Sequence, residues 1–372
     1  MDGYRAGTAL SLADLEAAAA AALAPEVYDF VAGGSGDERA IAANLDALRS
    51  VRLVPRVLRD VTHRSTGTTL FGRPSALPLA IAPVAYQMLL HADGEAATAR
   101  AAAAAGVPFA VPMLSSVPIE EVAESGADLW MQLYWLRDRA ITADLIDRAV
   151  AAGCRAVVLT VDVPIMGRRL RDVRNGFGLP PTMSAVHLPV AGGIGAQRAG
   201  GGGSAVAAHT SAAFDPSLNW ADLEWIRART ALPLVLKGML HPDDARQAAD
   251  LGVEALVVSN HGGRQLAAAV PGVAMLPEIR AAVGERCTLI LDGGIRCGED
   301  MLVALALGAD AAMIGRPAMW GLAAGGQPGV ADVLRLLATE LDTALALAGC
   351  TDPADARRLH HLSEPPGRQS SG

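Results

Sequence analysis

Cysteine is scarce here and falls into no pattern. Cys154, Cys287, Cys297 and Cys350 form no CxxC pair and no zinc-ligand spacing, which argues against a disulfide framework or a structural metal site. They read instead as reduced, packed thiols of a cytosolic protein. Long apolar runs are also missing. The Ala-rich stretch 17–24 is bounded by Glu16 and by Pro25-Glu26 and is too short to span a bilayer. Residues 1–10 lack the basic-then-apolar order of a secretion signal, and the end, Gln369-Ser370-Ser371-Gly372, is no peroxisomal address. The cytoplasm is therefore the expected compartment. Nor is there an excess of positive charge. A net charge of −8 and a pI near 5.5 argue against nucleic-acid or anionic-membrane partners. The basic residues are scattered apart from one cluster, Arg168, Arg169, Arg171 and Arg174. A last absence is the GxGxxG turn of dinucleotide-binding proteins.

What is present is a rhythm. The chain has 372 residues, 51% of them hydrophobic, enough for a large core. After a preamble of helical character over 11–49, short apolar runs alternate with amphipathic, Ala-rich stretches. Strands are expected at 79–82, 108–111, 129–133, 156–161, 234–236, 255–258, 288–291 and 311–314. Helices are expected at 94–105, 141–152, 242–251, 275–283 and 299–307. Eight near-continuous apolar strands, each followed by a helix, is the pattern of a (β/α)8 TIM barrel formed as one domain, 1–372. A doubly wound open sheet competes less well, since no GxGxxG follows the first strand. The rhythm breaks over 172–215, after the fourth strand, where a mobile active-site loop is expected. Residues 363–372 read as a frayed tail.

In such a barrel the active residues come from the C-terminal ends of several strands. Here those ends are polar almost without exception. They read Ala82-Pro83-Val84-Ala85-Tyr86, Gln132-Leu133-Tyr134, Thr160-Val161-Asp162, Lys237-Gly238, Ser259-Asn260-His261, Asp292-Gly293-Gly294-Ile295-Arg296 and Gly315-Arg316. Singly, Asp162 could belong to a turn and Lys237 to a solvated terminus; their joint occurrence carries the weight. The sixth end supplies His261 and Arg264, a base active near neutral pH beside a fixed cation suited to a carboxylate. The seventh and eighth ends join glycines to arginines where barrels commonly seat a phosphate. Without a dinucleotide fingerprint, flavin mononucleotide (FMN) is favoured over NAD.

The runs Ser259-Asn260-His261-Gly262-Gly263-Arg264-Gln265-Leu266, Leu291-Asp292-Gly293-Gly294-Ile295-Arg296 and Gly167-Arg168-Arg169 resemble the FMN-dependent 2-hydroxy acid oxidases and dehydrogenases, the group of glycolate oxidase, lactate oxidase and mandelate dehydrogenase. The likeness covers about residues 10–350. Within the group, Ala82-Pro83-Val84-Ala85-Tyr86-Gln87 and Gly167-Arg168-Arg169-Leu170-Arg171-Asp172 look most like the hydroxymandelate oxidases. The resemblance implies that His261 is the catalytic base and that Asp162 orients it. Arg264 would pair with the substrate carboxylate, helped by Tyr28. Tyr134 would reach the substrate hydroxyl, and Arg169 would add charge nearby. Lys237 would sit against the flavin N1 edge. Gln132, Thr160 and Ser259 would line the flavin, Arg296, Gly315 and Arg316 would take its phosphate, and Pro83, Val84, Ala85, Asp292, Gly293 and Gly294 would also bind the cofactor. Two positions depart from the group: Pro112, where a flavin-facing Ser is frequent, and Ala267, where an Asp is usual.

The expected activity is FMN-dependent oxidation of an (S)-2-hydroxy acid to the 2-oxo acid, with O2 as acceptor and a homotetramer as the family's assembly. Tyr86 and Leu114 would shape the pocket beyond the α-carbon. The small Ala85 and the Leu at 114 leave room for a ring, which points to mandelate or 4-hydroxymandelate. An aliphatic, lactate-like acid is the alternative, and a non-catalytic flavoprotein a more distant one.

Overall fold

Eight parallel strands close into a barrel in the computed structural model, which describes residues 4–188 and 213–363. Three helices precede it: α1 (Leu12–Ala22), α2 (Pro25–Ala32) and α3 (Arg39–Arg49). The edge strand β1 (Val51–Val54) and the hairpin β2 (Thr68–Leu70) and β3 (Arg73–Ser75) follow. The barrel runs in chain order through β4 (Leu79–Ile81), β5 (Phe109–Val111), β6 (Leu129–Leu133), β7 (Ala156–Thr160), β8 (Leu234–Met239), β9 (Ala255–Val258), β10 (Thr288–Asp292) and β11 (Ala311–Ile314), and β11 pairs back onto β4. The eight expected strands are all found, three of them with the expected bounds. The main extension is in β8, which continues past Leu236 through a register shift at Gly238.

Period-two alternation sorts each strand into an inner and an outer face. The lumen is filled by Ala80, Ala82, Ala110, Ala156, Ala255 and Ala311 together with Trp130, Val158, Val235, Val257, Ile290 and Met313. One indole among so many methyls packs the interior, and the hairpin closes the lower end. Leu70 is buried there, and Phe71 meets Trp130 edge-on at 5.0 Å. The outward residues of the same strands join the larger core under the helices.

The preamble is not an appendage. Ser11 and Asp14 form a reciprocal cap that starts α1, with the Ser11 N–H donating to Asp14 at 2.9 Å. α1 then packs along the C-terminal helix Arg316–Ala348. That helix was not foreseen, because Gly325-Gly326 and Pro328 interrupt its pattern. It bends there, with Gly326 at φ 61°. Two other expectations need correction. Residues 172–188 are not structureless: the short helix α4 (Leu170–Arg174) enters them, and Val186 N–H bonds the Ser115 carbonyl at 2.9 Å. Of the rest of the expected loop, 189–212 lie outside the described residues, and at 213–215 Phe214 bridges Leu136. Ser363, read as the start of a tail, pairs with Val51 in the strand β12 (His360–Ser363), and 364–372 lie outside the description. Among the described residues no helix is long and apolar enough to cross a membrane.

Candidate active site

The alternation that fills the lumen also builds its polar rim. Two residues beyond Trp130, Val158, Val235, Val257 and Ile290 stand Gln132, Thr160, Lys237, Ser259 and Asp292, the next inward positions at the C-terminal mouth. All five are buried and bonded to one another or to the strand ends. Met113 N–H donates to Gln132 Oε1 at 3.0 Å, and Gln132 Nε2 donates to Thr160 Oγ1 at 3.0 Å. Lys237 Nζ donates to Asp292 Oδ2 at 2.7 Å and to Ser259 Oγ at 3.3 Å, and Ser259 Oγ donates to the same carboxylate at 2.6 Å. Burial alone would raise the Asp292 carboxyl. The Lys237 charge and these hydrogen bonds outweigh it and hold the group below its usual value.

Beyond β9 the chain takes three consecutive left-handed residues, His261 at φ 60°, Gly262 at 60° and Gly263 at 79°. Two glycines accept this readily; His261 does so at a cost, and such strain commonly marks a functional position. The turn presents His261 Nδ1 to Asp162 Oδ1 at 3.0 Å. In the neutral ring Nδ1–H donates to Asp162, which leaves Nε2 as the basic nitrogen. Desolvation in the cleft pushes the imidazole below its ordinary value, against the opposing pull of Asp162. Asp162 in turn fits because residue 238 is glycine: a Cβ there would lie 2.5 Å from the Asp162 Cβ.

Arg264 Nη1 donates to the carbonyls of Gly33 at 2.7 Å and Val31 at 3.3 Å, at the C-terminal end of α2. Arg316 shares that end, bonding Val31, Ala32 and Gly33 carbonyls and reaching Gly262 O at 2.8 Å. Exposed carbonyls at a helix C-terminus suit cations. Arg169 is buried, and its guanidinium and that of Arg264 lie 5.9 and 5.6 Å from the Phe30 ring centre. Desolvation, then the like charges of Arg169 and Arg316, pull Arg264 well below its ordinary value. Tyr134 lies in the same field. Burial and the Asp162 charge push its phenol up to about 12, with Arg169 and Arg264 opposing. Tyr86, left-handed at φ 57°, is buried and hydrogen-bonded by its N–H to Leu114 O at 3.0 Å, so these two pocket candidates are neighbours.

One expected residue is elsewhere. Tyr28 turns its hydroxyl to Glu16 Oε1 at 3.2 Å, on the α1 side. Two residues along a helix is about 200° of rotation, so Phe30, not Tyr28, takes the face toward Arg264 and His261. That helical spacing was the available signal. Two further aromatics were not foreseen: Phe177 stacks on Phe30 at 4.6 Å, and Phe214 stacks on Tyr134 at 4.5 Å.

Residues 19–363 match the family described as FMN-dependent dehydrogenase. The chain belongs to that family. It is 55% identical to 4-hydroxymandelate oxidase of Amycolatopsis orientalis, over 95% of this chain and 98% of that protein. It is 45% identical to L-lactate oxidase of Nostoc, over 93% and 96%. Among solved structures it matches mandelate oxidase with (S)-4-hydroxymandelic acid at a TM-score of 0.93 and 54% identity, over 95% of this chain and 99% of that one. This FMN-dependent dehydrogenase binds FMN and oxidises 2-hydroxy acids.

A cavity at the barrel mouth has the chemistry such a family needs. Pro83, Val84, Lys237, Asp292, Gly293, Gly294, Arg296, Gly315 and Arg316 line it together with His261, Arg264 and Phe30. Gly293 at φ 103° and Gly294 at 92° bring the backbone close, as a phosphate cradle requires. Arg296, over the Trp320 ring at 4.9 Å, and Arg316 are poorly solvated cations. Burial and then the Arg296 charge push Arg316 down to about 10. A phosphate dianion would relieve both, so the residues fit FMN. Ala85, Gln132, Thr160 and Ser259 do not line this cavity; Thr160 borders a second one toward Trp135 and Trp220.

Proposed function

We propose that this site oxidises an (S)-2-hydroxy acid carrying an aryl group, of the 4-hydroxymandelate type, to the 2-oxo acid, with O2 taking the two electrons and two protons as H2O2. The observation that carries the reading is one base and two cations gathered round an aromatic wall. His261 sits 3.0 Å from Asp162, and Arg264 and Arg169 flank Phe30. Arg264 and Arg169 neutralise the substrate carboxylate and fix the α-carbon. Tyr134, kept protonated, donates to a substrate oxygen. His261, kept neutral, accepts the proton at Nε2, whether that proton leaves the hydroxyl or the α-carbon. FMN, when bound, supplies the two-electron acceptor; Arg296, Arg316 and Lys237, which line the cavity, would hold it.

The ring preference is supported by Phe30 and Tyr134 beside the cations, by Tyr86 and Leu114 on the Tyr134 side, and by the names of the relatives. Burying a phenyl group stabilises by about 1.5–3 kcal/mol, roughly tenfold to 100-fold in specificity. The test compares kcat/KM for (S)-4-hydroxymandelate, (S)-mandelate, lactate and glycolate, with H2O2 measured in parallel. Lactate or glycolate matching both mandelates would reject the aryl assignment. Bound flavin that fails to bleach anaerobically with any of the four would reject the reading as a whole. A cytosolic homo-oligomer belongs to the same proposal. Its supports are four free cysteines and the exposed apolar residues Val57, Leu58, Leu347 and Leu362 near the β1–β12 pair.

A further inference from the structure

Asn44, on α3 of the preamble, touches neither the cavity nor any of the charged groups above, yet it lies at the join of two parts of the site. It is 3% exposed and faces Asn260, also 3% exposed, across a reciprocal amide pair. Asn44 Nδ2 donates to Asn260 Oδ1 at 2.9 Å, and Asn260 Nδ2 donates to Asn44 Oδ1 at 2.8 Å. Asn260 immediately precedes His261, and its side chain spans the turn. Its Oδ1 also accepts from Gly263 N–H at 3.1 Å, and its Nδ2 donates to Val270 O at 3.2 Å. Every polar atom of the Asn260 amide is thus engaged around the left-handed run His261-Gly262-Gly263.

The backbone of α3 closes the same turn from outside. A Cβ on Gly263 would lie 2.8 Å from the Ile41 nitrogen, and Gly263 O accepts from Ser35 N–H at 2.9 Å. The other side of Asn44 meets the cofactor loop. A Cβ on Gly294 would lie 2.8 Å from Asn44 O, and one on Gly293 would lie 3.3 Å from Asn44 Nδ2. A strained histidine persists only where its surroundings over-determine it, and a buried amide left without partners is costly. The reciprocal pair meets both demands from outside the barrel.

We propose that Asn44 is a positioning residue for the base: through Asn260 it holds the turn that sets His261 against Asp162 and toward the substrate. The inference rests on reading His261 as the base. Misplacing a reacting group by about 1 Å costs on the order of 10²-fold. Asn44→Ala is therefore expected to keep its FMN and its fold while flavin reduction by (S)-4-hydroxymandelate, followed anaerobically by stopped flow, slows ~10–100-fold. Asp162, Lys237, Arg169 and Asp292 are charged groups coupled to His261, and Asp162 is the one that holds its proton affinity up, so a loosened His261–Asp162 contact also displaces the acid limb of the reduction rate to lower pH. A loss of mere stability would leave that limb unmoved. Asn44→Asp, which keeps one of the two hydrogen bonds, should fall between wild type and Asn44→Ala, and it carries the same comparison if the alanine variant does not fold. Asn260→Ala should match Asn44→Ala, and the double variant should be no slower than the slower single one. Reduction within threefold of wild type with an unmoved acid limb overturns the proposal, as does a slowing that only tracks lost FMN. His261→Gln separates the two levels. Normal reduction in that variant removes the base assignment itself, whereas a slow His261→Gln beside a normal Asn44→Ala removes only the role of Asn44.

Discussion

His261 titrates under two opposed influences, and their balance gives a prediction with a definite sign. Desolvation lowers the imidazole below its ordinary value of about 6.5, while the Asp162 charge and hydrogen bond raise it. His261 is therefore neutral at neutral pH, as the proposed base must be, and the acid limb of kcat/KM should lie below 6.5. Asp162→Asn removes the raising influence only. The rate should fall, because the imidazole loses its orienting partner, yet the acid limb should move to still lower pH. A limb that moves upward, or an unchanged rate, would contradict the assigned pair. At this scale much was readable beforehand: the strand-end residues announced themselves because a polar group two positions beyond an apolar one must face the mouth. Phe30 was missed by a matter of helical phase, and Asn44 because nothing in Ala43-Asn44-Leu45 indicates a partner more than 200 residues away.

The strands show why fold was legible and where legibility ended. β6, β9 and β11 carried their bounds in plain apolar runs, since a parallel strand covered on both faces needs no alternation to be recognised. The hairpin β2–β3 was not seen. Its Gly72 and Pro74 interrupt any strand pattern, and its value is tertiary: it plugs a lumen half of whose residues are alanine. Within that lumen Trp130 is fully buried and stands directly below Gln132. The lumen alanines have no side chain to move into the space the indole would vacate. Trp130→Ala should therefore cost about 3–5 kcal/mol of unfolding free energy, measured by urea titration with FMN in excess, and Trp130→Phe much less. A loss under about 1 kcal/mol would mean that the hairpin, not the indole, packs the barrel floor.

Across the whole molecule, the site draws on segments far apart in the chain: α2 supplies Phe30 and three carbonyls, α3 supplies Asn44, and the segment after β7 docks back on the end of β5. That last attachment turns on His187, which is 3% exposed. Its Nε2 accepts from Ile119 N–H at 2.9 Å, and its Nδ1 stands 3.3 Å from Met113 O, a pair of bonds that only the neutral ring can make together. Burial, then the Arg148 charge, holds its pKa at about 4. A histidine depressed on folding binds its proton more readily when unfolded. Its contribution is therefore whole above pH 6.5 and lost as pH falls from there toward 4. The shift corresponds to about 3 kcal/mol at most. His261 acts in the same direction. The carboxylates depressed by their partners, Asp292 beside Lys237 among them, weaken the fold only at lower pH. Buried carboxyls raised by desolvation, Glu95 and Asp172 among them, act in the opposite direction, so the His187 contribution is read as the difference in urea midpoint between wild type and His187→Gln from pH 6.5 to 4.5. His187→Gln offers Ile119 an acceptor that does not titrate in this range. It should start less stable at pH 7.5 and decline less steeply, so that the two curves converge toward pH 4.5. Parallel curves for the two proteins would show that His187 protonation does not limit acid stability, and that the docking of this segment on β5 is held by Val186 and its apolar neighbours alone.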